Sequence, residues 1–301
     1  MVFGPSPVLE VSIEPAGKAT AIRVVPGGQA VWVSRMASMM GGAVTMCGLS
    51  GGDIGSLLAP MLDEQPFRSR LVPTQAPTGC FVVDQRHEPS VEIASDWARP
   101  PSPGEVEALV AATADAGRYA DVVVVCNPMP GDALPLDVYT TVVADAAAAG
   151  ALVVVDLSTP RLEAALRGGA AVVKLNDWEL AELVVAPVDT PADRRAAMNR
   201  LRDLGARSAV VTRGSCSAVA VDVHGDSIEL TPPLLGVGRA AGCGDAMTGA
   251  LAAALAQGST WLDAVVLGMA AGAAHFAGRD ETSRAAIDEL VHHVSWQRVP
   301  V

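Results

Sequence analysis

The chain has 301 residues, half of them hydrophobic, which is enough for one large α/β domain or two smaller ones around a substantial core. A formal net charge of −12, with no basic run interleaved with aromatics, excludes the face that a nucleic-acid backbone demands, so an anionic ligand has to be met by local groups. Cys47, Cys80, Cys126, Cys216 and Cys243 lie far apart without Cys-x-x-Cys pairing and read as reduced thiols of a cytoplasmic protein, not as a disulfide framework or zinc site.

The N-terminus lacks the basic start and apolar run of a signal peptide. Val2-Phe3 reads as a short strand, Val8 to Ile13 alternates as a half-exposed strand, and Ala21 to Val25 is its partner. Gly27-Gly28-Gln29-Ala30 leads into an apolar helix, Val31 to Met40, whose glycine-bared start is a candidate ligand site. Ala43 to Leu49 is a buried strand, and Ser50-Gly-Gly-Asp53 turns into the helix Ile54 to Leu62. Gly79 to Asp84 and Val91 to Ser95 carry interleaved polar residues, as strands of a small sheet with one exposed face do. The Pro-rich piece Arg99 to Gly104 is the best candidate hinge.

Beyond it the pattern is regular α/β alternation. Strands at Asp121 to Cys126, Ala151 to Asp156, Ala171 to Leu175 and Ser208 to Thr212 are separated by helices. Those helices are Glu105 to Gly117 before the first strand, then Leu136 to Ala149, Pro160 to Arg167, Trp178 to Val184 and Pro191 to Leu204. Continuous apolar strands alternating with helices predict a parallel sheet covered on both faces, with ligands at the carboxyl ends of its strands. Those ends are Cys126 to Gly131, Asp156 to Thr159, Lys174 to Glu179 and Thr212 to Gly214. The strands of the N-terminal third form a flap over that edge. Ala218 to Val223 and Ser227 to Leu230 form a hairpin around Gly225.

The chain is organised around Gly236 to Gly258. Gly236, Gly238, Gly242 and Gly244 make a turn, and Ala246 to Ala256 is a run of strong helix formers. Asp245 stands at the helix entrance, where unpaired N–H groups and the dipole favour an anion. Two readings of Asp245 stay open: a plain helix cap, or a base that accepts a proton from an alcohol attacking a phosphate. A Walker loop is excluded because Lys18 and Lys174, the only lysines, lie outside such a context, and the glycine spacing is not that of a dinucleotide fold. The longest apolar run, Ala264 to Phe276, is too short to span a bilayer and reads as a buried helix, so no membrane partner is expected.

In this order the motifs resemble the ribokinase-like, PfkB family of carbohydrate kinases, over nearly the whole chain. The family's late Gly-Ala-Gly-Asp motif stands as Gly242-Cys243-Gly244-Asp245, and its early Gly-Gly-Lys-Gly stretch as Gly27-Gly28-Gln29-Ala30. Asn176 and Glu179 match its Asn-x-x-Glu motif, Thr212 and Gly214 its nucleotide-side strand end, and Cys126 to Gly131 the Ser-Gly-Ser-Leu-Pro of its phosphofructokinase branch. The resemblance implies one α/β domain over residues 1–301. Its three-layer αβα ribokinase-like core would have a mainly parallel sheet and a small β-sheet lid from roughly 8–26 and 68–98.

It also implies an ATP- and Mg2+-dependent phosphotransferase acting on a primary hydroxyl of a sugar, polyol or sugar phosphate. Asp245 would be the base and Gly242, Cys243 and Gly244 the anion hole. Glu10, Gly27, Gly28, Gln29 and Asn127 would meet the substrate. Lys174, Asn176, Glu179, Thr212 and Gly214 would lie toward the nucleotide, with Asn176 and Glu179 organising the metal through water. The residue-level alternative for Asn176 and Glu179 is a capping box. The lid's exposed strand edges suggest a homodimer.

Several positions depart from the pattern. Gln29 replaces a lysine, Trp32 an asparagine, Glu10 an aspartate, and Thr78-Gly79-Cys80-Phe81 stands where the phosphofructokinase branch has a phosphate-binding arginine. The missing cations pull the substrate toward an uncharged molecule, unless Arg35, Arg86 or Arg99 reaches in. Arg239-Ala240-Ala241 replaces the Asp-Thr that precedes the anion hole, and Arg213 is unusual beside the nucleotide; both read either as extra phosphate contacts or as drift from the pattern. Two other readings stand beside this one: a non-catalytic sugar or nucleotide sensor on the same fold, and a serine hydrolase. The hydrolase reading rests on Gly48-Leu-Ser50-Gly-Gly52, with Asp156 and His224 or His275 completing a triad.

Overall fold

Runs of β-branched residues set the centre of the fold, because they pack well on a pleated surface buried from both sides. The computed structural model describes residues 1–16, 19–86, 90–129, 134–188, 190–236, 238–278 and 282–299. Lys18, Pro130-Gly131 of the first strand end, positions 17–18 and 87–89 of the expected lid, and Val237 lie outside the described residues.

The N-terminal third runs β1 (Val2–Phe3), β2 (Val8–Ala16), β3 (Ala19–Gly27), α1 (Gln29–Met39), β4 (Thr45–Gly51), α2 (Gly52–Asp63), β5 (Arg68–Thr74), β6 (Cys80–Asp84) and β7 (Val91–Asp96). The alternating part follows as α3 (Pro103–Gly117), β8 (Val122–Cys126), α4 (Leu136–Ala148), β9 (Leu152–Asp156), α5 (Arg161–Arg167), β10 (Val172–Asn176), α6 (Asp177–Val184), α7 (Pro191–Asp203) and β11 (Ser208–Thr212). The chain closes with β12 (Ala218–Val221), β13 (Ser227–Thr231), α8 (Cys243–Ala256), α9 (Trp261–Gly278), α10 (Arg284–Val291) and β14 (Ser295–Val299).

Among the described residues, ten strands form one sheet in the order β14-β13-β12-β11-β10-β9-β8-β1-β4-β5. From β11 to β5 neighbouring strands pair in parallel, and β12, β13 and β14 add an antiparallel edge. Strand alternation sorts the side chains into two cores. Val124 and Cys126, Val154, Val172 and Val210 pack under α1, α8 and α9, while Val123, Val125, Val153, Val155, Val173 and Val211 pack under the other helix layer. This is a three-layer α/β architecture, with helices on both faces of the large sheet.

The second sheet has four strands in the order β3-β2-β6-β7, with β2 and β6 parallel and a register shift between Val82 and Val83. Arg68 to Thr74, expected in this small sheet, instead extends the large one: β5 pairs with β4 from Thr45↔Arg68 to Gly51↔Thr74. Its interleaved polar residues reflect an edge position. The hinge piece also differs from expectation, because α3 starts inside it at Pro103 and Glu105 Oε2 accepts the Ser102 N–H at 2.6 Å. The apolar run at Ala264 is part of an 18-residue helix, α9, long and apolar enough to cross a bilayer by length and composition. Ala264, Val265, Met269, Ala270, Ala271 and Ala274 are buried in the protein's own core, which accounts for that composition without a membrane.

Helix α8 lies tightly against α1. A Cβ on Gly249 would sit 2.5 Å from the Val33 carbonyl oxygen and 2.9 Å from Met36 Cβ, so only glycine permits this approach. The two glycine-bared entrances, Gly28 and Gly242, are thereby brought over the carboxyl ends of β8, β9 and β10.

Candidate active site

The period of two that fills the core also builds the floor of the site. On the strand face where Val154, Val172 and Val210 meet the core, the next same-face positions are Asp156, Lys174 and Thr212. Asp156 and Lys174 are 2% and 6% exposed. Lys174 Nζ stands 3.1 and 3.4 Å from the two Asp156 oxygens, and Thr248 Oγ1 of α8 donates to Asp156 Oδ2 at 2.6 Å. A buried ion pair needs such additional hydrogen bonds to offset the loss of hydration.

Above this pair lies the entrance of α8. Gly242 is left-handed (φ 83°) and gives no side-chain cap; a Cβ there would lie 2.7 Å from His275 Nε2. The Cys243 N–H turns back to Ala240 O at 3.2 Å and Ala246 N–H bonds Gly242 O at 2.9 Å, which leaves the first-turn N–H groups of Gly244 and Asp245 for a ligand. The Cys243 thiol donates to Arg239 O at 3.3 Å, and burial, then the Asp245 charge, push its pKa up to about 11. It is a packing group whose backbone, not its sulfur, shapes the turn.

The Asp245 carboxyl is pushed up to about 7. Loss of hydration is the main cause, and the Asp156 charge adds to it; Lys174 and a hydrogen bond from Gln29 pull the other way, and Glu179 adds a smaller upward push. The helix entrance alone implies an ionised, weakly basic carboxylate; desolvation and the neighbouring carboxylate overturn that expectation. For Lys174, burial favours the neutral amine, but Asp156 and Asp245 outweigh it and raise its pKa. Its ammonium lies 2.7 Å from where a Cβ on Gly244 would be. Lys174, expected toward the nucleotide, lies directly beneath the turn.

Gln29 ties the entrance of α1 to the strand ends. Its Oε1 accepts the Asn127 N–H at 2.7 Å and its Nε2 donates to Asp156 O at 3.3 Å. Asn127 Oδ1 accepts from Ser158 N–H and Oγ, both at 3.2 Å. Glu10 reaches the same entrance from β2: a Cβ on Gly27 would lie 3.2 Å from its Oε2. Trp32 packs edge-on against His275 and carries Arg35 over its ring at 4.8 Å, as a wall of the site.

Asn176 and Glu179 form a reciprocal capping box at the start of α6. Asn176 Oδ1 accepts Glu179 N–H at 2.9 Å and Glu179 Oε2 accepts Asn176 N–H at 2.8 Å. Burial raises the Glu179 pKa, against the lowering effect of the Asn176 N–H. The register Asn176↔Thr212 puts this box next to Thr212, and Gly214 (φ 57°) has open space where a Cβ would be. Among the described residues no group of three or more His, Cys, Asp or Glu is gathered for a metal.

Two nominated cations are engaged locally. Arg35 Nε donates to Gln65 Oε1 at 2.7 Å, and Arg86 pairs with Asp84 at 2.6 Å. Arg213 lies 3.9 Å from Asp177, and Arg239 grips Gln85 of the small sheet through Nη1 and, at 3.0 Å, Nη2. The hydrolase triad does not assemble: Ser50 Oγ donates to Gly55 O, Asp156 holds Lys174 and Thr248, and His275 Nε2 meets Ala241 O at 3.2 Å. Asp156 and Thr248 are the residues that sequence reasoning left out of the kinase site. Asp156 carried a signal, being the one carboxylate that ends a buried parallel strand, whereas Thr248 sits unremarkably inside the helical run.

The fold and the paired glycine entrances define a ribokinase-like phosphotransferase architecture. The same architecture is found in phosphofructokinase-2 from Escherichia coli in complex with potassium (TM-score 0.86, 25% identity, 97% of each chain covered) and in Arabidopsis thaliana ribokinase complexed with ribose and ATP (TM-score 0.73, 19% identity, 96% of this chain and 97% of that one). In sequence, the chain is 29% identical over 279 residues to ATP-dependent 6-phosphofructokinase isozyme 2 of Escherichia coli strain K12, covering 89% of this chain and 88% of the relative. The pfkB family carbohydrate kinase profile matches residues 7–280, and the chain belongs to that family.

Proposed function

We propose that the protein transfers the terminal phosphoryl group of ATP to a primary hydroxyl of a sugar or closely related polyol, with Asp245 as the base. The observation that carries this reading is the Asp245 carboxyl, raised to about 7 beside the two first-turn N–H groups. A base is most effective when its pKa lies near the working pH, and phosphoryl transfer otherwise asks chiefly for alignment and charge stabilisation. Asp245 takes the hydroxyl proton as the oxygen attacks. The Gly244 and Asp245 N–H groups, with Lys174 beneath them, receive the charge that develops on the transferred group. Thr212 and Gly214 border the nucleotide.

The donor set suits Mg2+ held through water, since this ion keeps several waters and takes phosphate oxygens in place of an all-protein cage. Glu179, whose Oε1 lies outside the capping box, and Asn176 would hold it, and the ion would neutralise phosphate charge. The engagement of Arg35 and Arg86 favours an uncharged acceptor. The names of the phosphofructokinase relatives favour a sugar phosphate, which remains the second reading. The small sheet serves as a lid, and Ile22, Val24, Val91 and Ile93 on it are exposed, which supports pairing of two lids in a cytoplasmic homodimer.

ATP consumption against free sugars, polyols, nucleosides and sugar phosphates, with Asp245→Asn beside the native protein, tests the reading. Turnover confined to uncharged acceptors and lost in the variant is expected. Binding without turnover on every acceptor would overturn it in favour of a sensor.

A further inference from the structure

The small sheet and the α8 entrance are joined by side chains to which neither the fold nor the proposed chemistry assigns a role. Gln85 follows β6 and is held to β2 by its N–H, which donates to Ile13 O at 2.9 Å. Its amide is used at both ends: Nε2 donates to Glu10 Oε1 at 3.3 Å, and Oε1 accepts from Arg239 Nη1. Arg239 Nη2 also donates to the Gln85 carbonyl at 3.0 Å. Gln85 and Glu10 are 4% and 5% exposed, so these groups meet away from bulk water.

On the other side, the Arg239 backbone belongs to the turn that opens α8. Its N–H donates to Phe276 O at 3.0 Å and its carbonyl accepts the Cys243 thiol at 3.3 Å. A polar path therefore runs from Glu10, through Gln85 and Arg239, into the turn before Asp245. An amide at position 85 satisfies both neighbours, because it accepts from a cation at one end and donates to an anion at the other.

We propose that Gln85 and Arg239 are positioning residues that fix the Glu10 carboxylate against Gly27, ready to receive a hydroxyl of an uncharged sugar or polyol. They make docking of the small sheet and ordering of the Gly242–Asp245 entrance a single event. The hydroxyl-reading half of this inference rests on the kinase reading above; the mechanical half does not. A bound hydroxyl is thus sensed by the same structure that shapes the phosphoryl-accepting turn, which disfavours transfer to water when no acceptor is present.

Gln85→Glu separates the two halves. It keeps a charge-assisted partner for Arg239 but sets a like charge against Glu10, whereas Gln85→Leu and Arg239→Ala break the path outright. Hydrogen exchange over residues 80–86 and 239–246 is expected to stay protected in Gln85→Glu and to speed up in the other two variants. The KM for the acceptor is expected to rise about tenfold or more in all three, with the KM for ATP changed by less than about twofold. The double variant Gln85→Leu/Arg239→Ala is expected to be no worse than the worse single one. Native exchange rates in all variants would overturn the latch whether or not a sugar is turned over. Altered exchange with acceptor KM unchanged would overturn the positioning of Glu10, and a native protein without sugar turnover would refute the kinase reading while the exchange data still decide the latch.

Discussion

Two helices begin at the carboxyl edge of the same sheet with an acidic residue in their first turn, and the two carboxylates meet opposite fates. In α6, Glu179 closes a capping box with Asn176, and its oxygen accepts the Asn176 N–H at 2.8 Å. In α8 the cap position is Gly242, no side chain caps the helix, and Asp245 stands over the buried Asp156–Lys174 pair. A carboxylate at a helix entrance is thus a cap when the preceding residue offers a reciprocal partner. It is left uncapped, with a raised pKa, when glycine withholds a partner and burial, with a second buried carboxylate beside it, disfavours its charge.

Removing the charge at each position should sharpen that contrast. Asp245→Asn is expected to lower kcat by about 10²- to 10⁴-fold with ATP affinity retained, as measured by steady-state turnover and calorimetric binding. Asp156→Asn leaves Lys174 buried without its counter-ion and should cost about 3–5 kcal/mol in denaturant unfolding. Its loss also removes an upward push on Asp245, so the acid limb of any remaining activity should move to lower pH.

The proposed base also opposes folding. Its folded value, about 7, lies above the ordinary aspartate value of 3.8, so between those pH values the folded state holds the extra proton and stability falls as pH rises through that window. Asp245→Asn should therefore be more stable than the native protein at pH 8, by a few kcal/mol at most, read as a raised Tm. The two should converge near pH 4. Glu179→Gln is expected to have the smallest effect on folding, below about 1 kcal/mol, because a glutamine still accepts the Asn176 N–H. Its KM for Mg2+-ATP should nonetheless rise; an unchanged value would reduce Glu179 to a cap.

Much of this arrangement is legible in the sequence because it is written in local terms. Val122 to Val125 is a strand buried from both sides, the glycine turn at Gly242 precedes a run of helix formers, and Asn176 with Glu179 spells the capping box. What escaped depends on partners distant in sequence. Arg68 to Thr74 looks like a flap strand until its pairing with β4 is seen, and β14, exposed along Ser295 to Arg298, carries no burial signal. The Asp245 pKa is raised first by burial and then by the charge of Asp156, and both depend on β9 ending beneath α8. Arg239, with its charge beside an anion hole, invites a phosphate, but its guanidinium is held by an amide more than a hundred residues earlier.

The pH dependence of kcat/KM for the native protein, measured with the best acceptor from the panel and Mg2+-ATP in excess, tests the central claim most directly. The account predicts activity that falls tenfold per pH unit on the acid side of an apparent pKa near 7, as Asp245 takes up its proton. An acid limb near pH 4, or a flat profile across the neutral range, would contradict a raised Asp245 as the base.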